Sequence, residues 1–249
     1  MTANLLSDMT EERKNELREN YSRVLERIKE AETRRGGNTD VQLLAATKTV
    51  PAEEICFLVE NCGLRLCGEN HAQEFADKYD AVRAAGAEMD FIGHLQTNKV
   101  KYIVGKARLI HSLDSIKLAE AINERAEKLG VVQNVLVEIN IGEEENKTGI
   151  NPSDVEGFIS QLKAYPAINL CGMMTMAPKC EEIQEFREYF KESYRIFLDF
   201  FAKKTHNIGE PILSMGMSDS FECAIEEGAN VVRLGSIIFG SRKNKGTVG

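Results

Sequence analysis

Residues 41–55, VQLLAATKTVPAEEI, predict one strand followed by one helix. The run of apolar and small residues at 41–47 is typical of a buried strand, and Pro51 is suited to open a helix. Between them stands Lys48, whose ammonium group is strongly hydrated and costly to bury. A lysine at the end of a buried strand either reaches water or serves a purpose, and the rest of the chain must distinguish these cases.

The strand–helix pattern recurs along the chain. The strand candidates are short, mostly apolar and bounded by Gly or polar residues, as expected of parallel strands buried on both faces. Helical patterns separate them, with further helix starts indicated at Asn151-Pro152 and Ser218-Asp219. The eight predicted strands are residues 41–47, 64–68, 90–93, 108–111, 132–141, 168–175, 211–215 and 230–234.

Eight such units within 249 residues predict an α/β protein, a (β/α)8 TIM barrel, as a single domain over residues 1–249. A doubly wound open sheet is the main alternative, but the sequence has neither a dinucleotide fingerprint nor a GK[ST] loop. The tail at 241–249 is expected to fray. Residues 10–34 predict an extra N-terminal amphipathic helix capped by Thr10. Its apolar face is predicted to carry Leu17, Tyr21, Val24, Leu25, Ile28 and Ala31.

Composition narrows the class of protein. Hydrophobic residues make up 43% of the chain, and the formal net charge of -8 argues against a nucleic-acid partner. No apolar run approaches the roughly 20 residues of a membrane span, and the polar start has no signal-peptide core. We therefore expect a cytoplasmic protein without a membrane partner.

The cysteines predict neither a metal site nor a disulfide framework. None forms a C-x-x-C pair, and none stands beside a histidine at metal-ligand spacing. In a cytosolic chain of this size, cysteines are typically small buried hydrophobes. The six are Cys56, Cys62, Cys67, Cys171, Cys180 and Cys223.

Polar residues recur at or just after the carboxyl ends of the predicted strands. In a TIM barrel, chemistry gathers at the carboxyl ends of the strands. This one topology would therefore bring the polar residues to one rim, and that agreement supports it. The residues concerned are Lys48, Asn70, His94, Asn140, Thr175, Ser214, Ser218, Arg233 and Ser236.

Two of these turns have the character of a phosphate site. Ser214-Met215-Gly216 and Gly235-Ser236 are small residues where a strand turns into a helix. Glycine lets an anion approach the backbone, and barrels often hold phosphate at the loops after strands seven and eight. The alternative is that both are ordinary tight turns.

Lys48 and Arg233 leave several chemistries open. Lys48 either extends its ammonium to solvent or, partly desolvated opposite a phosphate site, acts as a nucleophilic amine. The second case suggests a Schiff base with a sugar phosphate, as in an aldolase, or with pyridoxal 5'-phosphate (PLP). Arg233 could contact phosphate, lie against a ring nitrogen, or pair with a carboxylate such as Glu138.

Longer motifs narrow these choices. The stretches LLAATKTVP, GENHAQEF, FIGHLQTNK, GMMTMAP and LSMGMSDSFECAIEEGANVVRLGSIIFG resemble the pyridoxal phosphate homeostasis protein family over about residues 12–242. The resemblance implies the PLP-binding barrel of fold type III, also seen in the N-terminal domain of alanine racemase. It implies that Lys48 holds PLP as a Schiff base.

The same resemblance implies roles for the other site residues. Ser214, Met215, Gly235 and Ser236 would hold the phosphate, although many relatives would have Thr where this chain has Ser236. Either hydroxyl can donate to phosphate. Arg233 would face the pyridine nitrogen, Asn70 would line the cofactor site and Met174 would form part of its wall. His94 and Gln96 match a family motif, but no role follows for them.

The family is regarded as acting in PLP supply and homeostasis without an established reaction. A cation against the pyridine nitrogen disfavours its protonation and weakens the ring as an electron sink. The racemase adds a tyrosine base and a second domain, whereas this chain ends soon after strand eight. We therefore expect a monomeric, non-catalytic PLP carrier, with PLP-dependent apoenzymes as possible recipients. The alternatives are an amino-acid racemase and a Schiff-base sugar-phosphate aldolase.

Overall fold

The computed structural model describes residues 9–36, 40–200 and 211–240, and the predicted fraying of 241–249 lies outside them. Eight strands, each parallel to its neighbours, close into a barrel in chain order. The predicted (β/α)8 barrel is confirmed, with shifts of one or two residues at most strand ends. The strands are β1 Gln42–Ala46, β2 Leu66–Glu69, β3 Glu88–Phe91, β4 Ile110–Leu113, β5 Gln133–Ile139, β6 Ile168–Thr175, β7 Ile212–Ser214 and β8 Val231–Leu234.

Closure of the barrel brings the two ends of the described chain together. The last strand pairs with the first, with Gln42 opposite Val231 and Leu44 opposite Arg233. Helices follow the strands, and 3-10 turns at Thr97–Lys99 and Pro152–Asp154 precede two of them. The helices are α1 Glu11–Arg35, α2 Ala52–Cys62, α3 Ala72–Ala85, α4 Val100–Ile103, α5 Ile116–Leu129, α6 Val155–Leu162, α7 Ile183–Phe200, α8 Phe221–Glu226 and α9 Ser236–Phe239.

The extra N-terminal helix, α1, forms as predicted and lies against α2, α8 and α9. Thr10 caps it, because its hydroxyl accepts from the Arg13 N–H at 3.2 Å. Arg13 binds Glu54 of α2 through two hydrogen bonds. The prediction for Leu25 is wrong: it is 41% exposed, because it lies beyond the edge of the buried stripe. The other predicted apolar positions are buried, namely Leu17, Tyr21, Val24, Ile28 and Ala31.

Two of the predicted helix starts are displaced. Pro51 directly precedes α2, as expected, whereas Asn151-Pro152 opens a 3-10 turn and α6 begins only at Val155. The predicted start at Ser218-Asp219 is wrong by two residues, since α8 begins at Phe221. There the Ser220 hydroxyl accepts from the Met217 N–H at 3.3 Å, so the preceding turn is stabilised locally.

The core is mostly apolar, but Asp90, His111, Ser214 and Arg233, all on strands, are also buried. Cys56, Cys67, Cys171 and Cys223 are buried, but Cys62 and Cys180 are only half-buried, which corrects their prediction. None of the six, all of which are described, forms a disulfide bond.

Across the described segments, every helix is too short or too polar to cross a membrane.

Candidate functional site

Lys48 lies two residues past the end of β1, at the carboxyl end of the barrel. It is partly exposed and follows Thr47, which is fully buried. The Thr47 N–H donates to the Gly68 carbonyl at 2.9 Å, which ties the turn to β2. The lysine side chain therefore starts from a fixed backbone position at the rim where the sequence places it.

Arg233 lies inside the barrel and is 6% exposed. Its Nη1 donates to Ser214 Oγ at 2.7 Å, and its Nη2 donates to the Thr175 carbonyl at 2.9 Å. Burial lowers the pKa of Arg233 to about 10, with the charge of Glu138 opposing the shift, so the group is still cationic at neutral pH. A buried cation with neutral hydrogen-bond acceptors is costly, which marks Arg233 as a candidate ligand-binding group.

One predicted alternative was an ion pair between Arg233 and Glu138. Both residues are described, and they form no salt bridge with each other. Glu138 accepts a hydrogen bond from Thr148 Oγ1 at 2.6 Å instead. Burial raises the pKa of the Glu138 carboxyl, and the Thr148 hydroxyl and the Arg233 charge only partly offset this. Glu138 is thus a buried acid near the rim, held by a neutral partner.

A chain of polar side chains continues from Arg233 through the barrel. Ser214 Oγ lies 3.2 Å from His111 Nδ1, and His111 Nε2 lies 3.0 Å from Asp90 Oδ2. Arg108 donates two hydrogen bonds to Asp90, at 2.8 and 2.6 Å. Because Arg233 donates to Ser214, the serine proton can point to His111, whose other nitrogen then donates to Asp90. Each link donates in the direction of the Asp90 carboxylate.

The His111 imidazole, within this series of polar side chains, is neutral at neutral pH. Burial lowers its pKa, while the hydrogen bond and charge of Asp90 oppose the shift. The sequence analysis missed Asp90, Arg108 and His111 as part of the site. The available signal was a polar or charged residue at the ends of two strand candidates: Asp90 begins DFIG, and Arg108 and His111 begin and end RLIH.

The turns after β7 and β8 meet at the rim. Gly216 has a φ of +93°, and a Cβ there would lie 2.6 Å from Ala224 Cβ, so this tight turn requires glycine. The turn after β8 places Ser236 at the start of α9. The Ser236 hydroxyl donates to Ser218 Oγ at 3.1 Å, and this contact joins the two turns. Ser218 and Ser236 therefore present adjacent hydroxyl groups at the rim.

The other predicted residues occupy different depths. Asn70 is partly exposed, and its Oδ1 is buried with no hydrogen-bond partner among the described residues. Met174 and Met215 are buried, and the Met215 N–H already donates to the Val231 carbonyl at 3.1 Å. His94 Nδ1 lies 3.2 Å from Asp114 Oδ2. Gln96 is exposed before the 3-10 turn at Thr97–Lys99.

Comparison with known proteins gives consistent matches over most of the chain. The model for the alanine racemase N-terminal domain matches residues 15–243. A pyridoxal phosphate homeostasis protein of Aquifex aeolicus is 46% identical over 226 residues, which cover 90% of this chain and 98% of that protein. The Escherichia coli protein of the same name is 33% identical over 233 residues, 92% of this chain and 97% of that protein.

Several solved structures also match most of this chain. A protein from Bifidobacterium adolescentis, described as unknown, is 33% identical with a TM-score of 0.85, covering 95% of this chain and all of that one. PipY of Synechococcus elongatus, solved with PLP bound, is 26% identical with a TM-score of 0.77, covering 90% and 100%. A Clostridium difficile alanine racemase is 20% identical with a TM-score of 0.67, covering 93% of this chain and 58% of that one, so it shows the fold alone.

Proposed function

The chain belongs to the pyridoxal phosphate homeostasis protein family, and from this premise we propose that it binds PLP on Lys48 and acts in PLP homeostasis. The observation that carries this proposal is Arg233, a buried cation whose acceptors are Ser214 and the Thr175 carbonyl. An acceptor without a proton, such as an unprotonated pyridine nitrogen, suits this guanidinium. Bound PLP would supply an aldehyde that captures amines and a ring that withdraws electrons.

The residues at the rim fit the two ends of PLP. Lys48, at the end of β1, would hold the aldehyde carbon as a Schiff base, and Arg233 would donate to the ring nitrogen. The orphaned Oδ1 of Asn70 leaves a buried acceptor for a donor group of a ligand. Met174, which is buried, would form an apolar wall beneath the ring. The phosphate role expected for Met215 remains a prediction, and the Met215 N–H already donates to the Val231 carbonyl.

For the phosphate we propose Gly235 and Ser236 together with Ser218. A Cβ at Gly235 would lie 3.0 Å from the Ala46 carbonyl, so the turn after β8 passes close to the end of β1. Ser218 joins this group because its hydroxyl contacts Ser236. The phosphate role expected for Ser214 remains a prediction that its buried contacts with Arg233 and His111 do not favour.

The residues that would surround the PLP ring favour a binding role over racemisation. A guanidinium cation at the nitrogen disfavours its protonation, so carbanion chemistry would need a well-placed base. All six tyrosines lie in described segments: five are on helices, and Tyr165 lies in the turn before the amino end of β6. This placement leaves no tyrosine at the carboxyl end of a strand in the described part of the chain, and it favours binding over racemisation. We propose further that the protein carries PLP in the cytoplasm as a monomer and passes it to PLP-dependent apoenzymes.

The test is a visible absorption spectrum after adding PLP, followed by borohydride reduction and peptide mass mapping. After unbound PLP is removed, we expect the absorption band of a Schiff base and a phosphopyridoxyl group on Lys48, with neither in Lys48→Ala nor in Lys48→Arg, which keeps the charge. A protein that stays colourless and unmodified would refute the proposal. Exchange of the α-proton of an amino acid, lost in Lys48→Ala, would refute the non-catalytic part and favour the racemase.

A further inference from the structure

The turn that carries Lys48 is fixed at its first residue. The Thr47 side chain is fully buried, and its Oγ1 donates to Glu69 Oε1 at 2.8 Å. The Thr47 carbonyl accepts from the Val50 N–H at 3.0 Å, which closes the turn. Lys48 therefore lies in a turn whose first and last residues, Thr47 and Val50, are held in place by hydrogen bonds.

The third residue of the turn adopts an unfavourable backbone conformation. Thr49 has a φ of +65°, which costs free energy for a β-branched residue. Its N–H donates to Glu74 Oε2 at 2.7 Å, and Glu74 lies on α3. A carboxylate from a neighbouring helix thus stabilises the strained conformation that follows Lys48.

Lys78 of α3 connects these two contacts. Its Nζ donates to the Thr47 carbonyl at 2.9 Å, to Glu69 Oε1 at 2.8 Å and to Glu74 Oε2 at 3.0 Å. An ammonium group has three hydrogens, and these three acceptors use all of them. The Lys78 side chain is only 12% exposed and Glu69 is 0% exposed, so solvent weakens the Lys78–Glu69 contact little.

We propose that Lys78, with Glu69 and Glu74, is a positioning residue that presets the Lys48 turn for attack on an aldehyde. This inference rests on the proposed function. In the step concerned, the neutral Lys48 amine adds to the aldehyde carbon. A C=N bond then replaces the C=O bond, and the oxygen leaves as water with the two protons of the amine. A displacement of the amine by about 1 Å is expected to slow such a step roughly 100-fold.

A purely structural role for Lys78 predicts a different pattern. If Lys78 only joined α3 to the barrel, its loss would weaken all binding at the rim together. A positioning role acts on the attachment step alone. Pyridoxamine 5'-phosphate separates the two roles, because it has the ring and phosphate of PLP but no aldehyde, so its binding does not require Lys48.

The experiment compares wild type, Lys78→Met and Lys128→Met in cofactor-free protein. Lys128 is the matched control, since it also pairs with a glutamate four residues earlier on a helix but is exposed. We expect Lys78→Met to slow attachment of PLP to Lys48 by 10- to 100-fold while the Kd for pyridoxamine 5'-phosphate changes less than about 3-fold. Amide exchange at Thr49 and Val50 should accelerate in Lys78→Met alone.

Each other outcome overturns the inference. An attachment rate in Lys78→Met within about 3-fold of wild type would leave Lys78 without a positioning role, even if amide exchange accelerated. A parallel loss of pyridoxamine 5'-phosphate binding would identify a general structural role. Failure of wild type to attach PLP would refute the proposed function itself, which the wild-type arm reports separately.

A second variant guards against misfolding. Lys78→Met leaves the Glu69 carboxylate buried without its cation, which can destabilise the fold. In Lys78→Met/Glu69→Gln no such charge remains, and the glutamine oxygen still accepts from Thr47. If the single variant lacks a native circular dichroism spectrum, this double variant undergoes the same comparison, with the same results expected. Lys78→Arg, which retains a cation, should recover part of the attachment rate.

Discussion

Arg233 Nη1 donates a 2.7 Å hydrogen bond to Ser214 Oγ inside the barrel, between the carboxyl ends of β8 and β7. The serine therefore orients the guanidinium, and its own proton is available to His111 Nδ1 at 3.2 Å. This relationship gives Ser214 a role that its position in a small-residue turn does not suggest. It also leaves Ser218 and Ser236 as the adjacent hydroxyl groups of the two rim turns.

Replacing Arg233 should separate stability from binding. In Arg233→Gln the buried charge is lost while an amide donor remains. We therefore expect the free energy of unfolding of the PLP-free variant to equal that of wild type or to exceed it by about 1 kcal/mol. PLP binding should weaken at least about 10-fold, because the ring nitrogen loses its charged donor. Urea unfolding and PLP titration measure the two quantities.

Arg195→Gln is the control for this prediction, because Arg195 is exposed on α7. It should change the free energy of unfolding by less than about 0.5 kcal/mol and leave PLP binding unchanged. A strongly destabilised PLP-free Arg233→Gln would mean that the guanidinium stabilises the barrel, and Arg233 would lose its status as a group held in place for a ligand.

Ser236 should contribute to binding through its hydroxyl group. We expect Ser236→Ala to weaken PLP binding about 10-fold, since a hydrogen bond to a charged phosphate contributes more than one between neutral groups. Ser236→Thr keeps the hydroxyl and should bind within about 3-fold of wild type. PLP titration of both, with the exposed α6 variant Ser160→Ala as control, decides the point. Equal binding by all three variants would remove Ser236 from the proposed phosphate site.

The barrel could be predicted because its signal is local. Parallel strands buried on both faces are short apolar runs, and the strand at 168–175 was predicted with the bounds that the structure shows. The carboxyl end of β2 was missed: the prediction ended at residue 68, but the strand continues through Glu69. A charged residue is a poor strand signal. The burial of Glu69 is explained by hydrogen bonds from Lys78 and Thr47, which lie outside β2, nine and 22 residues away in sequence.

The polar chain inside the barrel could not be predicted for the same reason. Asp90 and His111 lie on neighbouring strands, β3 and β4, and Ser214 on β7, so their contacts depend on closure of the barrel. The sequence pattern placed Lys48 and Arg233 at the carboxyl ends of β1 and β8, and the structure has Lys48 just past β1 and Arg233 buried inside the barrel. The pattern could not show that Arg233 would lack a carboxylate partner. Glu138 was a candidate partner on another strand of the barrel, but it accepts a hydrogen bond from Thr148 instead.

Helix α1 provides a test of the corrected apolar face. Leu17 is fully buried, whereas Leu25 is 41% exposed on the same helix. We expect Leu17→Ala to lower the free energy of unfolding by about 3 kcal/mol, since it leaves a cavity against the barrel helices. Leu25→Ala should cost less than about 0.5 kcal/mol and serves as the matched control. Urea unfolding measures both, and equal losses would show that the two leucines share one buried face after all.

Glu138 should make stability depend on pH in a defined direction. Burial raises its pKa above the ordinary value of 4.5, so the folded protein holds a proton that the unfolded chain releases. Its contribution to stability is therefore complete below about pH 4.5 and is lost as the pH rises through the folded pKa. Each unit of that shift costs about 1.4 kcal/mol of stability at neutral pH.

Glu138→Gln should remove this dependence, because the amide does not titrate while its oxygen still accepts from Thr148. We expect the variant to exceed wild type in free energy of unfolding at pH 7 and to converge with it below about pH 4.5. Urea unfolding at several pH values measures the difference, and exposed Glu156→Gln on α6 should run parallel to wild type. A gap that is constant with pH would mean that the Glu138 carboxyl has the same pKa in the folded and the unfolded protein. A gap that grows as the pH falls would mean that the Arg233 charge outweighs burial and lowers this pKa.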